Sequence, residues 1–111
     1  TFVSCAYIPD HIIELTRITP NDLKGAPSRK EALNMLKNFL GDSVFVAHNV
    51  AFDYTFLSAS FKRFGLGSIG NIRLCTIDLA KKTINSQKYG LAGLCETLNI
   101  NMPSHHRAYS D

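Results

Sequence analysis

No C-x-x-C pair occurs in this chain, and its three cysteines, Cys5, Cys75 and Cys95, are odd in number and widely spaced. That pattern argues against a disulfide framework and against a zinc site. Cys5 and Cys95 sit among apolar neighbours and read as small buried hydrophobes, and a reducing cytoplasmic setting suits such thiols. No apolar run approaches the length that crosses a bilayer, and the first residues lack a basic-then-apolar signal pattern, so no membrane partner is expected. Internal repeats, low-complexity tracts and linkers are missing as well. Charge is scarce: Asp, Glu, Lys and Arg make up 19% of the chain, and the net charge is +3 with a pI near 8.9. So mild a basic balance permits nucleic-acid binding without requiring it. What remains is 45% apolar residues in a chain of 111, a globular composition for one domain at most.

Phe2 to Ile8 favours extended backbone and reads as a strand closed by the turn signal Pro9-Asp10. His11 to Leu15 suggests a short helical or irregular stretch, and Thr19-Pro20-Asn21-Asp22 looks like a capped helix start. The clearest helix spans about Ser28 to Leu40: Ser28 and Glu31 match a capping box, Ala32, Leu33, Leu36, Phe39 and Leu40 recur at helical spacing, and Gly41 supplies the stop. Val44 to Ala47 is apolar on both faces, which suits a strand covered by helices on both sides of an α/β layer. A second helix follows from roughly Ala51 to Arg63 and stops near Gly65. Its apolar residues cover so much of the circumference that it is either largely enclosed or turned toward a ligand on one side. Ile69 to Leu74 reads as a short strand, and Thr76 to Thr83 and Leu91 to Leu98 as two helices. Ser104 is placed to cap a last helical turn carrying His106 and Asp111.

Two segments carry the candidate chemistry. His48-Asn49-Val50-Ala51-Phe52-Asp53 and His106-Arg107-Ala108-Tyr109-Ser110-Asp111 each place a histidine and an aspartate five residues apart. Asp53 has Phe52 and Phe56 beside it, and a carboxylate among large apolar groups is costly unless a cation, hydrogen bond or substrate compensates it. It also lies at the carboxyl end of a buried strand, where ligands of open α/β sheets collect. A helix-start carboxylate favoured by the macrodipole is the plainer account, and a metal ligand is the reading favoured here. Asn49 is equally well explained as a helix cap or as a contact to a terminal nucleotide, and His48 as a local hydrogen-bonding group or the same contact. His106 and Asp111 diverge on a regular helix, so the histidine is expected in a loop or first turn and the aspartate inside the helix. An imidazole titrating near neutral pH suits proton removal from water. His105-His106 does not make a zinc site, because adjacent rings aim poorly at one ion.

His-Asn-x-x-Phe-Asp followed by His-x4-Asp resembles the second and third motifs of the DEDDh 3′→5′ exonucleases, whose members include proofreading subunits of bacterial DNA polymerases. The resemblance extends to Ile18-Thr19 with Ala26-Pro27, to Val44 through Leu57, and to Leu74-Cys75-Thr76 with Leu79-Ala80-Lys81. In that last stretch an aspartate often precedes the threonine in the family, and Cys75 occupies its place. The resemblance implies a ribonuclease H-like three-layer α/β/α exonuclease fold. It also implies Asp53 and Asp111 as two of four metal-binding acids, His106 as general base, and His48 and Asn49 as substrate contacts. The cofactor implied is a pair of Mg²⁺ or Mn²⁺ ions about 3.5–4 Å apart. The substrate implied is the 3′ end of single-stranded DNA, with a DNA polymerase subunit as partner.

The family's first motif, Asp-x-Glu, occurs nowhere in the 111 residues. The chain is therefore expected to be a partial exonuclease domain over residues 1–111, incomplete at both ends, exposing apolar faces and inactive by itself. A degenerate, non-catalytic exonuclease fold serving a polymerase or clamping nucleic acid is the competing reading. An RNA-trimming relative is another, since the same acids serve both chemistries and contacts to the 2′-hydroxyl decide. Phe52 and Phe56 suit either core packing or base stacking.

Overall fold

The computed structural model describes residues 1–101, so His106 and Asp111 lie outside the described residues. The chain divides into two compact units, one of Thr1–Phe39 and the other beginning at Leu40.

The first unit holds helix α1, Asp10–Thr16, and all but the last residue of helix α2, Arg29–Leu40. The capping box at α2 forms as its sequence requires. The Ser28 N–H donates to Glu31 Oε2 at 2.7 Å, and the Glu31 N–H donates to Ser28 Oγ at 3.3 Å. Ser28 holds the Glu31 carboxyl below the usual carboxylate range, its hydroxyl contributing most and its N–H next. Gly41, at φ +45°, ends the helix in the left-handed region that glycine adopts without penalty.

Three expectations fail. Phe2 to Ile8 forms no strand; a strand needs a ladder of backbone bonds to a neighbour, and the bond from the Ser4 N–H to the Pro27 carbonyl is not continued into a ladder among the described residues. Thr19 to Asp22 starts no helix. Asp22 Oδ2 instead accepts from the Thr19 N–H and hydroxyl at 2.8 and 2.7 Å, closing a run of turns that ends at Gly25, φ +75°. With Gly25 and Pro27 so near, too few residues remain to repay helix nucleation. Cys5 is exposed and Cys95 half-buried, so neither is the buried hydrophobe expected.

The second unit positions the site. Strand β1, Phe45–Ala47, is followed by helix α3, Val50–Arg63, and then by strand β2, Arg73–Cys75, with helices α4, Thr76–Thr83, and α5, Leu91–Thr97, after it. β1 and β2 pair in parallel, with Phe45 opposite Arg73, Val46 opposite Leu74 and Ala47 opposite Cys75. A parallel pair requires a crossover, and α3 provides it. The second strand begins later than Ile69 because Ile69 is used otherwise: its side chain is buried and its carbonyl accepts the Tyr54 hydroxyl. Asn71 Nδ2 donates to the Gly41 and Ser43 carbonyls at 2.9 and 2.7 Å, tying the entrance of β2 to the turn before β1.

One face of the pair is covered. Phe45 is buried and meets the Tyr54 ring edge-on, with centroids 6.1 Å apart. The alternate residues point the other way. Val44, Val46, Ile72 and Leu74 are exposed, Val46 by 53%, so the run expected to be covered on both sides has one open apolar face among the described residues. Helix α3 ends in a Schellman arrangement: the Leu66 N–H bonds the Phe61 carbonyl at 2.9 Å and the Gly65 N–H bonds that of Lys62 at 3.2 Å. Phe61 is 1% exposed and anchors this end, whereas Phe52 and Phe56, 73% and 65% exposed, stand clear of the described core.

Candidate nuclease site

Both parallel strands deliver their carboxyl ends to one place. Beyond Ala47 the chain runs through His48 and Asn49 into α3, and beyond Cys75 it enters α4 directly at Thr76. The register that sets Ala47 opposite Cys75 thus brings His48 close to Thr76, and His48 Nδ1 lies 2.9 Å from Thr76 Oγ1. His48 Nε2 is enclosed, with no hydrogen-bond partner among the described residues.

Asn49 occupies the residue before α3 but does not cap it with its side chain. Its backbone is left-handed, φ 67° and ψ 54°, a conformation asparagine tolerates better than most residues. Its carbonyl accepts the Phe52 N–H at 2.9 Å, and its side chain is exposed. Of the two accounts of Asn49, the side-chain cap is therefore the one the structure does not form. His48 bonds across to the second strand end, not locally.

Asp53 sits in the first turn of α3 and is half-buried. Its carboxylate has no hydrogen bond or ion pair among the described residues, which leaves its acceptors open. No group of three His, Cys, Asp or Glu side chains converges there among the described residues. One carboxylate does not hold a pair of divalent ions, so the described residues do not by themselves fit the metal centre.

Cys75 was visible in the sequence only as a departure from the family pattern, and Thr76 was not singled out as a site residue. Cys75 occupies the position before α4, half-buried, and its side chain makes no capping hydrogen bond. The backbone N–H groups of Asp78 and then Val50 push the thiol below its ordinary value; those of Ile77 and Asn49 add to them, while burial opposes the shift. The signal that finds both residues is the repeated pattern of apolar strand, short polar step and helix, at 44–50 and again at 72–77. Strands that pair in parallel must place such steps side by side.

A parallel strand pair joined by a helix, with His48, Asn49 and Asp53 following the end of the first strand, defines an α/β unit with a candidate site at its strand ends. The chain belongs to the RNase T exonuclease family, whose model matches residues 4–111. Among curated proteins it is similar to the PolC-type DNA polymerase III of Halalkalibacterium halodurans, 43% identical over 101 residues covering 90% of this chain and 7% of that protein. The PolC-type DNA polymerase III of Staphylococcus haemolyticus is 38% identical over 106 residues, covering 94% and 7%. Among solved structures it resembles exonuclease X in complex with 5′ overhanging duplex DNA, with a TM-score of 0.55, 25% identity, and coverage of 87% of this chain and 54% of that one. The chain thus spans about 7% of the length of the PolC-type relatives it matches. These likenesses bear out the DEDDh-type resemblance and the α/β exonuclease fold. No helix among the described residues is long and apolar enough to cross a membrane.

Proposed function

We propose that these residues belong to a 3′→5′ exonuclease that removes nucleotides from single-stranded DNA ends and serves a DNA polymerase in proofreading. The observation that carries the reading is the convergence of His48, Asn49 and Asp53 at a parallel strand end in a chain 43% identical to a PolC-type polymerase. His48 and the exposed Asn49 amide contact the terminal nucleotide. With the further acids in place, Asp53 and Asp111 would be two of the acids that hold divalent ions, Mg²⁺ or Mn²⁺, which would supply charge stabilisation and an activated water. His106 would accept a proton from the attacking water, a role that an imidazole suits. The further acids of an Asp-x-Glu do not occur in residues 1–111, so this stretch by itself is inactive and activity belongs to the full polypeptide.

The test is degradation of 5′-labelled single-stranded DNA by the full polypeptide with Mn²⁺, with His106→Ala as control. A ladder that shortens from the 3′ end and disappears in the variant supports the reading. An intact substrate with the full polypeptide overturns it in favour of a non-catalytic scaffold, and preference for an RNA strand replaces proofreading with RNA trimming.

A further inference from the structure

We infer that Thr76 is a positioning residue, whose hydroxyl orients the His48 imidazole at the junction of the two strand ends. The inference that His48 then meets substrate rests on the proposed exonuclease; the orientation itself does not.

Three observations carry it. The Thr76 hydroxyl is the one partner that His48 Nδ1 has among the described residues, at 2.9 Å, in a half-buried setting where water competes little. It reaches across 28 residues of sequence, and Ala47 and Cys75, which precede the two groups, are register partners. The contact is therefore built by the parallel pairing. The ring's other nitrogen, Nε2, is enclosed and unpartnered among the described residues. In a neutral imidazole one nitrogen donates and the other accepts, so the bond at Nδ1 decides what Nε2 offers to whatever reaches it. A threonine hydroxyl both donates and accepts, and it restrains the ring in either tautomer.

The consequence falls on the turn between strand and helix. His48 precedes Asn49, whose left-handed backbone starts α3, and Asp53 lies one turn further on. A ring free to rotate about its own bonds would change the direction presented to a nucleotide while leaving Asp53 where it is. Thr76 thus acts through His48 and on binding, and it touches no reacting atom.

The experiment uses the full polypeptide with Thr76→Val, which keeps the shape and removes the hydroxyl, and Thr76→Ser, which restores it. Imidazole ¹⁵N spectra should show a hydrogen-bonded His48 Nδ1 in the wild type and the serine variant, and the loss of that bond in the valine variant. With single-stranded DNA, the valine variant should raise KM by about five- to tenfold, the scale of one lost hydrogen bond, and change kcat little. In a His48→Ala background the valine substitution should have no further effect. A valine variant with an unchanged His48 spectrum overturns the inference, as does a KM effect that persists without His48. A shifted spectrum in a polypeptide that degrades no DNA supports the orienting role of Thr76 and overturns the exonuclease reading instead.

Discussion

Arg73 lays its guanidinium over the Tyr54 ring, with Cζ 4.3 Å from the ring centroid. The pair joins β2 to α3 on the covered face of the sheet, where Phe45 meets the same ring edge-on. Tyr54 is thus gripped by both strands, and its hydroxyl donates to the Ile69 carbonyl in the approach to β2. A cation over an aromatic face contributes about 0.5–1 kcal/mol where solvent reaches it, and an aromatic pair about as much again.

Replacing Tyr54 separates these contributions. Tyr54→Phe keeps the ring contacts and leaves the Ile69 carbonyl without its donor, at a cost of about 1 kcal/mol. Tyr54→Ala removes the ring from Phe45 and Arg73 together and should cost about 2–4 kcal/mol. Native-state hydrogen exchange of the β1 and β2 amides in the full polypeptide checks this. Equal losses in the two variants would show that the ring contacts add nothing.

Gly93 is needed for want of space, not for backbone freedom. A Cβ at Gly93 would lie 2.6 Å from Lys88 Cβ and 3.1 Å from the Lys88 carbonyl oxygen, both close to the main chain and unable to swing away. Alanine is ordinarily the better helix former by about 1 kcal/mol, yet here Gly93→Ala should destabilise α5 by about 1–3 kcal/mol because the loop at Lys88 must move. Faster proteolysis or hydrogen exchange confined to residues 86–98 is the expected readout. A variant with slower exchange there would mean that the loop yields freely.

Legibility followed the range of the interactions. Helix α2 was readable to a residue, since Ser28, Glu31 and Gly41 act within a few positions of the ends they fix. Helix α4 has the bounds expected, and α3 starts one residue early at Val50. The elements that depend on distant partners were the ones misread. Phe2 to Ile8 has strand-forming residues but no ladder, and Ile69 left the strand pattern because a tyrosine fifteen residues away takes its carbonyl. Within the site, His48, Asn49 and Asp53 were legible as one local motif. The Thr76 contact was not, because it exists only once β1 and β2 are in register.

The capping box at α2 predicts a pH dependence with a definite sign. Glu31 titrates lower in the folded chain than when unfolded, because the Ser28 hydroxyl and N–H bond its ionised form. Its contribution is therefore complete above the ordinary carboxylate value and is lost as pH falls through the depressed folded value. Glu31→Gln should remove that dependence. Ser28→Ala should cost about 1 kcal/mol at neutral pH, the usual worth of an N-cap. Amide exchange in the first turn of α2, followed from pH 6 down to pH 3, should show the wild type converging on the glutamine variant only at the acid end.

Cys75 supplies the last prediction, on reactivity. Its sulfur faces N–H groups from the starts of α3 and α4, with that of Asp78 the strongest influence, and these favour the thiolate. A small free thiol such as glutathione supplies the comparison. As pH rises, alkylation of Cys75 should therefore begin at lower pH than that of the free thiol, even though Cys75 is half-buried. Mass-spectrometric mapping of iodoacetamide adducts across pH 6 to 9 resolves the two. Cys75→Ala should abolish the adduct at this position. Onset of Cys75 alkylation at the same pH as the free thiol would show that the neighbouring N–H groups do not favour the thiolate.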